Sequence, residues 1–590
     1  MVTNNKNSAT QAVTRVRVYY AILLVVVIIF GLRLFYVQVI RYDHYKAAAL
    51  SDQLKQYEIP AKRGVISAYN GNDVLPVVLN EQLYLLYADP SLVKKPEQTA
   101  DKLVAAIGGD RNNYIEQMTA NKKSRYAILA KKLSTEQKNK IATLKLVGIG
   151  TQAQNYRTYP QDKLASQLLG FVNDEGQGKY GVEQSLNKRL NGTPGILKAI
   201  TDANGVPLAA SRDNIRTAPK DGDSLVLTID LSMQQQLESI IEQGNKKSKA
   251  SGVSALTMDP NSGAVKAMAN FPTYDPAQYF TVKDGNLFQN GTVTQSIEVG
   301  STMKTLTTAA ALDTGVVTPE TTYADPSFWI IDDFRITNIE EDGGAGTRSV
   351  RDILNLSLNT GVTWLLKQMG GGEINSKART TWHDYLVNHF MFGKPTGIEQ
   401  GYESDGLVPD PKDNGAGINL TYANTAFGQA MTATPIQMGA ALSSVVNGGT
   451  YYKPYLIDRS TSSGAGSVTT EPKVVKQNVV SAKTSQETIS LMQYVVDKHN
   501  FNPKFDQNLY TVGGKTGTAQ IAKPGGGYYD NQFNGTYVGF VGGDKVQYVV
   551  VVFVDKPTNG GYAGTAAAQP IFGDIAHMLI NDSYVSPKSQ

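Results

Sequence analysis

The alternation of apolar and polar positions divides this chain of 590 residues into three stretches. The first contains a run, Val18 to Ile40, that is apolar except for Arg33 and Gln38. From Arg41 to about Asp223, short strand-like runs are mixed with polar helical stretches. From residue 224 onward, strand patterns come first, helical patterns follow, and strands and a helix come last. This order of strands, then helices, then strands and a helix is typical of an α+β domain with an antiparallel sheet.

The length is too great for one compact core, so several domains are expected. The boundaries that we predict are a tail over residues 1–17, a membrane helix over 18–40, a first folded domain over 41–223 and a second over 224–590.

The N-terminal apolar run is long enough to be a transmembrane helix, because ~20 apolar residues in a helix cross the hydrocarbon layer. Lys6, Arg15 and Arg17 precede it without any acidic residue. Basic residues flanking a span stay on the cytoplasmic side, so we expect a cytoplasmic N-terminus and extracytoplasmic domains after Ile40. The alternative is a cleaved signal peptide, for which Ala47-Ala48-Ala49 offers small residues. These lie far beyond an apolar core that is already long for such a peptide.

The stretch 41–223 contains no credible catalytic cluster, and we expect a spacer or docking module there. A strand with an Asn-Gly turn is predicted by IPAKRGVISAYNGNDVL at 59–75. Apolar residues then alternate in EQLYLLYADP and stop at a proline. Residues 97–145 predict solvent-facing amphipathic helices rich in lysine and glutamine.

The stretch after residue 224 carries the clearest secondary-structure signals. A strand and an amphipathic helix are predicted by SLVLTIDLSMQQQLESIIEQ, and a strand, turn and strand by VSALTMDPNSGAVKAMANFP. Helices are predicted after Ser301 and at 432–449, where the pattern ends in Gly-Gly. Two strands are predicted by GTYVGFVGGDKVQYVVVVFVDKP, and the second is fully apolar and therefore expected at the centre of the sheet. A final helix is predicted around Ala566–Leu579.

Composition excludes several classes of function. Lys+Arg 56 against Asp+Glu 52 gives a net charge of +4, and no basic stripe outside the N-terminus indicates a nucleic-acid partner. The chain has no cysteine, which excludes thiol catalysis, disulfides and zinc–thiolate sites. The five histidines are scattered; His383 and His389 are the nearest pair, at a poor spacing for one helical face. We expect neither a metal nor a cofactor.

A candidate nucleophile lies in SIEVGSTMKTLTTAAALDTG at 296–315. Ser301 and Lys304 are three residues apart at the start of a predicted helix, so their side chains can touch. A serine hydroxyl needs an adjacent base, and a lysine can serve if burial and a neighbouring cation lower its pKa. The backbone N–H of Ser301 would also lie at the positive end of the helix dipole. The spacing alone is weak evidence, because Ser185 and Lys188 share it in a stretch with nothing else to recommend it.

Two further motifs strengthen the candidate. Downstream lie Ser357-Leu358-Asn359, in NLSLNTGVTW, and Lys515-Thr516-Gly517-Thr518, in TVGGKTGTAQI. The order Ser-x-x-Lys, Ser-x-Asn, Lys-Thr-Gly within one predicted domain is the signature of penicillin-recognising serine acyltransferases.

On these motifs the chain resembles a class B penicillin-binding protein, a membrane-anchored peptidoglycan D,D-transpeptidase. Within that class it resembles the septal subgroup more than the side-wall subgroup. Further stretches resemble the family. Its non-catalytic pedestal or dimerisation domain is resembled by RGVISAYNG and GKYGVEQSLNKRLNGTPG. Its transpeptidase domain is resembled by MDPNSGAVKAMANFPTYDP, FGQAMTATPIQM and YVGFVGG. The departures are Ala68-Tyr69 for the family's Asp-Arg, Val299 for the proline before the serine's glycine, and Gln429-Ala430 for Gln-Gly.

The resemblance implies acyl transfer in two steps. Ser301 would attack the carbonyl between the two terminal D-alanines of a stem peptide while Lys304 takes its proton. Ser357 would pass the proton to the leaving D-alanine, and the backbone N–H groups of Ser301 and Thr518 would bind the oxyanion. An amine of a neighbouring stem would then resolve the acyl-enzyme, and a β-lactam would trap it.

The resemblance also implies the residues that bind the substrate. Lys515 would keep the potential positive and attract the substrate carboxylate, which the Thr516 and Thr518 hydroxyls can bind. Asn359 would bind the peptide backbone. Gly517 has no side chain, so the substrate can lie along its strand as an added strand. The implied partners are stem peptides, β-lactams, a multi-spanning membrane glycosyltransferase and other division or elongation proteins.

Two alternative functions stay open at this point. A β-lactamase or D,D-carboxypeptidase would deliver the acyl group to water, although the anchor and the domain at 41–223 fit a wall-synthesis enzyme better. A membrane receptor or scaffold would bind β-lactams or stem peptides without turnover, although the intact reacting residues argue against it.

Overall fold

The structure is a computed structural model, and it describes residues 7–45, 54–122, 124–200, 215–338, 344–412, 415–523, 525–559 and 561–589. The chain forms two compact units. One is built from Met1–Lys62 and Gly192–Asp221, and the other from Arg63–Asn191 and Gly222–Gln590.

The strands are, in chain order, β1 (Leu54–Ile59), β2 (Ile66–Asn70), β3 (Asp73–Ala88), β4 (Ala127–Leu133), β5 (Ile149–Thr158), β6 (Phe171–Val172), β7 (Gly178–Lys179), β8 (Gly195–Ile200), β9 (Ile215–Thr217), β10 (Ser224–Asp230), β11 (Gly252–Met258), β12 (Val265–Phe271), β13 (Thr322–Asp325), β14 (Phe328–Ile331), β15 (Phe334–Thr337), β16 (Gly346–Ser349), β17 (Tyr451–Tyr452), β18 (Ile457–Ser462), β19 (Gly466–Thr469), β20 (Val474–Lys476), β21 (Thr511–Ala522), β22 (Tyr528–Gly542) and β23 (Val546–Asp555).

The principal α-helices are α1 (Asn7–Phe35), α2 (Pro96–Ile107), α3 (Arg111–Thr119), α4 (Thr135–Thr143), α5 (Ser166–Leu169), α6 (Gly181–Ser185), α7 (Asn187–Asn191), α8 (Leu231–Ser248), α9 (Gly291–Thr294), α10 (Met303–Asp313), α11 (Val350–Asn355), α12 (Asn359–Met369), α13 (Ser376–Asp384), α14 (Ile418–Thr425), α15 (Pro435–Val446), α16 (Ala482–Lys498) and α17 (Gln569–Asn581).

The first unit contains the apolar helix and a small sheet. Helix α1 continues into a π-helical turn at Tyr36–Ile40, and Val16–Ile40 is long and apolar enough to cross a membrane. From Val16 to Phe35 its side chains are exposed. Strands β1, β8 and β9 pair antiparallel in the order β1-β8-β9. The described helix covers the predicted span 18–40.

A seven-stranded sheet dominates the N-terminal part of the second unit. Its order is β19-β18-β10-β2-β3-β4, with β5 also paired to β3, and only β10 and β2 run parallel. The predicted Asn-Gly turn, Asn70-Gly71, joins β2 to β3. Helices α2, α3 and α4 form where amphipathic helices were predicted, but β4 lies between α3 and α4 and was missed. The domain boundary at 223/224 stays a prediction.

A five-stranded antiparallel sheet forms the centre of the C-terminal part, in the order β12-β11-β23-β22-β21. The apolar strand β23 is central, as predicted, and it is buried on both faces. Val551 packs into the cluster that contains Met438 of α15, and Val552 packs into the cluster that contains Leu237 of α8 and Ile575 of α17. Strand β21 lies at the edge of the sheet, and one side of it is therefore open to a further strand.

Helix α10 is buried over Met303–Leu312 and packs with α12 in the large core cluster. The turn that carries Ser301 directly precedes its N-terminus, and this turn packs against β21. Helices on both faces of one antiparallel sheet confirm the α+β prediction for this part of the chain.

Candidate active site

Ser301 lies in a single 3-10 turn, Gly300–Thr302, that leads directly into α10. The turn is fixed at both ends by hydrogen bonds. The Gly300 N–H donates to the Gly428 carbonyl (3.0 Å), and the Thr302 hydroxyl donates to the Val299 carbonyl (2.8 Å). Ser301 is half-buried, whereas Gly300 and Thr302 are buried. The sequence thus places a half-buried serine in a hydrogen-bonded turn at the start of a buried helix.

The turn packs directly on β21 because two glycines allow the backbones to approach. A methyl group at Gly300 would lie 2.7 Å from the Thr518 carbonyl oxygen, and one at Gly517 would lie 2.6 Å from the Val299 carbonyl oxygen. Gly300 also has φ +59, in the left-handed region that favours glycine. Ser301 therefore lies beside the Gly517–Thr518 segment, although more than two hundred residues separate them in sequence.

Lys304 is fully buried, and its side-chain nitrogen is oriented by Ser357. Lys304 Nζ donates to the Ser357 carbonyl oxygen and lies 3.2 Å from Ser357 Oγ. Ser357 has φ +58, an uncommon conformation for a residue with a side chain, in the connection between α11 and α12. Backbone strain of this kind clusters at functional sites. The first two predicted motifs are thus in hydrogen-bond contact.

The residues of the third motif lie along the edge strand β21. Lys515 is 1 % exposed, and its Nζ donates to the Thr516 carbonyl oxygen (3.1 Å) and hydroxyl (3.3 Å). Thr516 is buried, and Thr518 is half-buried. The Thr518 hydroxyl accepts a hydrogen bond from the Gly564 N–H (3.0 Å), which leaves its own proton free for donation.

Asn359 is the first residue of α12, and its side-chain amide donates to the Thr337 carbonyl (2.9 Å). The next residue, Thr360, donates to the buried carboxylate of Asp325 (2.6 Å). The hydroxyl of Tyr323 donates to the same oxygen (3.0 Å). This buried network fixes the start of α12, and with it the Asn359 side chain, at the end of β15.

Sequence reasoning missed several residues that hold the site. The Thr536 hydroxyl on β22 donates to the Val299 carbonyl (2.9 Å), the same oxygen that Thr302 binds. Glu298 binds two segments distant in sequence. Nothing in the local sequence marks these contacts, because each depends on which strand the fold brings beside the serine turn.

His499 adds a titratable group close to the third motif. Its Nε2 lies 3.3 Å from the carbonyl of Asn355, which ends α11 two residues before Ser357. Burial and the charge of Lys515 both lower the pKa of His499, against a smaller rise from the Asn355 contact. The lowered pKa favours the neutral ring, and the carbonyl of Asn355 is an acceptor for a proton on Nε2.

Comparison with known proteins identifies the family. The profile described as "Penicillin binding protein transpeptidase domain" matches residues 253–577, which is more than half of the chain, and "Penicillin-binding Protein dimerisation domain" matches 58–227. Stage V sporulation protein D of Bacillus subtilis is 30% identical over 570 residues, covering 96% of this chain and 85% of its own length.

The chain is a class B penicillin-binding protein. Peptidoglycan D,D-transpeptidase FtsI of Escherichia coli is 26% identical to this penicillin-binding protein over 572 residues, covering 96% of this chain and 91% of its own length. Solved structures show the same fold. Penicillin Binding Protein 2X of Streptococcus thermophilus has a TM-score of 0.70 at 23% identity and covers 90% of this chain and 80% of its own. Penicillin binding protein 3 of Mycobacterium tuberculosis, complexed with aztreonam, has a TM-score of 0.67 at 23% identity. The match covers 90% of this chain and 98% of that chain.

Proposed function

We propose that this penicillin-binding protein cross-links peptidoglycan stem peptides through an acyl-enzyme on Ser301. Transpeptidase chemistry follows from the family, and the assignment of roles rests on one observation above the others. Lys304, fully buried, is in hydrogen-bond contact with Ser357, while the Ser301 turn packs on the Gly517–Thr518 segment. These two contacts between segments distant in sequence support the proposal that the three motifs act together.

In the first step, Ser301 Oγ attacks the carbonyl carbon of the penultimate D-alanine. Lys304, which is buried beside Ser357, accepts the hydroxyl proton as the general base. The C–O bond to Ser301 forms, the peptide C–N bond breaks, and the proton passes through the Ser357 hydroxyl to the leaving D-alanine. The contact of 3.2 Å between Lys304 Nζ and Ser357 Oγ supports this path.

The negative charge that develops on the carbonyl oxygen needs donors in place before the reaction. The backbone N–H groups of Ser301 and Thr518 supply them in our proposal. Support comes from the close approach of Gly300 to the Thr518 carbonyl, which puts the two backbones side by side. The Thr518 hydroxyl, whose oxygen already accepts from Gly564, has its proton available for the substrate carboxylate.

In the second step, the amine of a neighbouring stem attacks the ester carbonyl. The new amide bond forms, the C–O bond to Ser301 breaks, and the proton that the amine loses passes to Ser301 Oγ. Because β21 is an edge strand, the donor stem can pair along it, with Gly517 leaving room for the peptide backbone. A β-lactam presents a strained amide to the same serine and leaves a long-lived ester.

We further propose that Val16–Ile40 anchors the protein in the cell membrane with a cytoplasmic N-terminus. The length and apolarity of the helix, and the basic residues Lys6, Arg15 and Arg17 before and at its start, support this orientation. We propose a multi-spanning glycosyltransferase and other division or elongation proteins as partners, and septal synthesis as the process. The septal assignment is supported by the likeness to Stage V sporulation protein D and to FtsI.

The purified full-length protein tests this function directly. It is incubated with a synthetic donor peptide that ends in D-alanyl-D-alanine and with an acceptor amine, and both released D-alanine and the cross-linked amide are measured. We expect both products, and neither with Ser301→Ala. Release of D-alanine without amide would favour a carboxypeptidase, and peptide binding without either product would favour a receptor.

A further inference from the structure

Glu298, three residues before Ser301, holds together three segments that border the catalytic turn. Its Oε1 accepts a hydrogen bond from the Ala430 N–H (2.8 Å) and another from the Tyr528 hydroxyl (2.9 Å). Ala430 belongs to the turn that follows α14, and Tyr528 is the first residue of β22. One carboxylate oxygen therefore joins the loop before Ser301, this turn and the turn end of the β21–β22 hairpin, where Tyr528 pairs with Ala522.

The turn after α14 and strand β22 make further hydrogen bonds, the first to the Ser301 turn and the second to β21. The turn at 428–430 receives the Gly300 N–H on the Gly428 carbonyl (3.0 Å). Ala430 has φ +55, a left-handed conformation that its side chain disfavours. Strand β22 pairs with β21, and Gly535 of β22 lies opposite Thr518, the residue that Gly300 approaches. A shift of any one segment would be transmitted to Ser301.

The second oxygen of the same carboxylate is an unusual feature. Glu298 Oε2 is buried, and among the described residues it has no hydrogen-bond partner. Burial raises the pKa of the Glu298 carboxyl, while the bonds from Ala430 and Tyr528 lower it. A buried acceptor without a partner costs free energy, so stability alone is a poor explanation for a carboxylate here.

We propose that Glu298 is a positioning residue that fixes the Ser301 turn against the start of β22 through its Oε1. The inference rests on the proposed role of Ser301 as nucleophile. Glu298 itself touches no reacting atom. It sets the distance between the serine turn and the hairpin end, and therefore the width of the cleft that the substrate enters beside β21.

Variants of the full-length protein test this role through the second-order rate constant of acylation by a fluorescent penicillin. Glu298→Ala removes both bonds, and we expect acylation to slow roughly tenfold or more. Tyr528→Phe removes one bond, and we expect an intermediate rate. Glu298→Gln retains an acceptor oxygen, and we expect it to restore most of the rate. The Glu298→Ala/Tyr528→Phe double variant should be no slower than Glu298→Ala, because both changes break the same contact.

Glu403→Ala is the matched control, because the Glu403 carboxylate also accepts two hydrogen bonds, from the Thr396 N–H (2.7 Å) and the Gly397 N–H (2.9 Å). We expect this variant to lower the melting temperature without slowing acylation of the folded protein. Acylation of Glu298→Ala at the wild-type rate, or a Glu298→Gln variant as slow as Glu298→Ala, would overturn the proposal. Absence of labelling on Ser301 in the wild-type protein would instead overturn the proposed function.

Discussion

The Ser-x-x-Lys spacing occurs at Ser91–Lys94, Ser185–Lys188 and Ser301–Lys304, and the burial of the lysine separates the three. Lys94 and Lys188 are exposed to solvent. Lys304 is the one of the three that is buried and bonded to a second serine. At the scale of single residues, the environment and not the spacing separates the candidate base from the other two lysines.

Replacement of Lys304 is the first test at this scale. We expect Lys304→Ala to slow acylation by a penicillin by roughly 10²–10⁴-fold, the usual contribution of a general base. Lys304→Arg should be equally slow, because a guanidinium keeps the positive charge but does not lose its proton in proteins. Lys188→Ala, the matched change at the exposed motif, should acylate at the wild-type rate. A fast Lys304→Arg variant would show that only the charge matters.

The element scale is set by how closely the Ser301 turn packs on β21. A methyl group at Gly517 would lie 2.2 Å from Thr536 Oγ1 and 2.6 Å from the Val299 carbonyl oxygen. Both atoms belong to the support of the serine turn, since the Thr536 hydroxyl donates to that carbonyl. The glycine of the Lys-Thr-Gly motif is thus required by the packing of the serine turn on β21.

Gly517→Ala tests that packing. We expect a destabilisation of about 1–3 kcal/mol from overpacking and a slower acylation, because the Val299 carbonyl and the attached turn must move. Thermal unfolding and the acylation rate measure the two effects. Gly285→Ala is the control, since a methyl group there meets nothing within 4 Å. Unchanged stability and rate in Gly517→Ala would show that the two backbones are not in contact.

The pH dependence of stability tests the environment of His499, which contacts α11 through Asn355 and lies near Lys515 of β21. Its pKa is lowered in the folded protein, so the unfolded chain binds more protons as the pH falls below about 6.5. Stability from this group is complete above that pH and is lost below it. We expect the melting temperature of His499→Gln to fall less than that of the wild type between pH 7.5 and pH 5.5. His383, whose pKa burial also lowers, is present in both proteins and contributes equally. A wild type and variant with parallel pH profiles would contradict this assignment.

The elements most accessible from sequence were those with a strong period or a strong stop. The unbroken apolar run in β23 predicted a central strand, and the Gly-Gly after α15 predicted a helix end; both are confirmed. Strand β4 was missed because its pattern, AILAKKL, alternates weakly and lies between helical segments. The supports of the site, such as Thr536 and Glu298, could not be predicted, because only tertiary folding brings them to the serine turn.

At the scale of the whole molecule, the three motifs carried the family assignment, and the comparisons confirm it. The roles of Ser301, Lys304, Ser357, Asn359 and the Lys515–Thr518 segment stay predictions until they are measured. The N-terminal helix fits a membrane anchor, but its retention and its orientation need their own experiment.

Two measurements on intact cells test the anchor. We expect the mature protein to keep residues 1–40, with an intact mass near 63.8 kDa, because the apolar run is longer than a signal peptide requires. We also expect external protease to digest the domains after residue 40 once the outer layers are removed. A mature chain that begins near Ala49, or domains protected from external protease, would contradict the proposed topology.

The covalent step is the centre of the account, and intact-mass spectrometry after reaction with a penicillin tests it most directly. The full-length protein should gain the mass of one intact penicillin molecule, and peptide mapping should place the ester on Ser301. The adduct should persist for the time of the measurement and be absent from Ser301→Ala. An adduct on Ser185 or Ser357, or rapid hydrolysis of the penicillin with no adduct, would contradict the account.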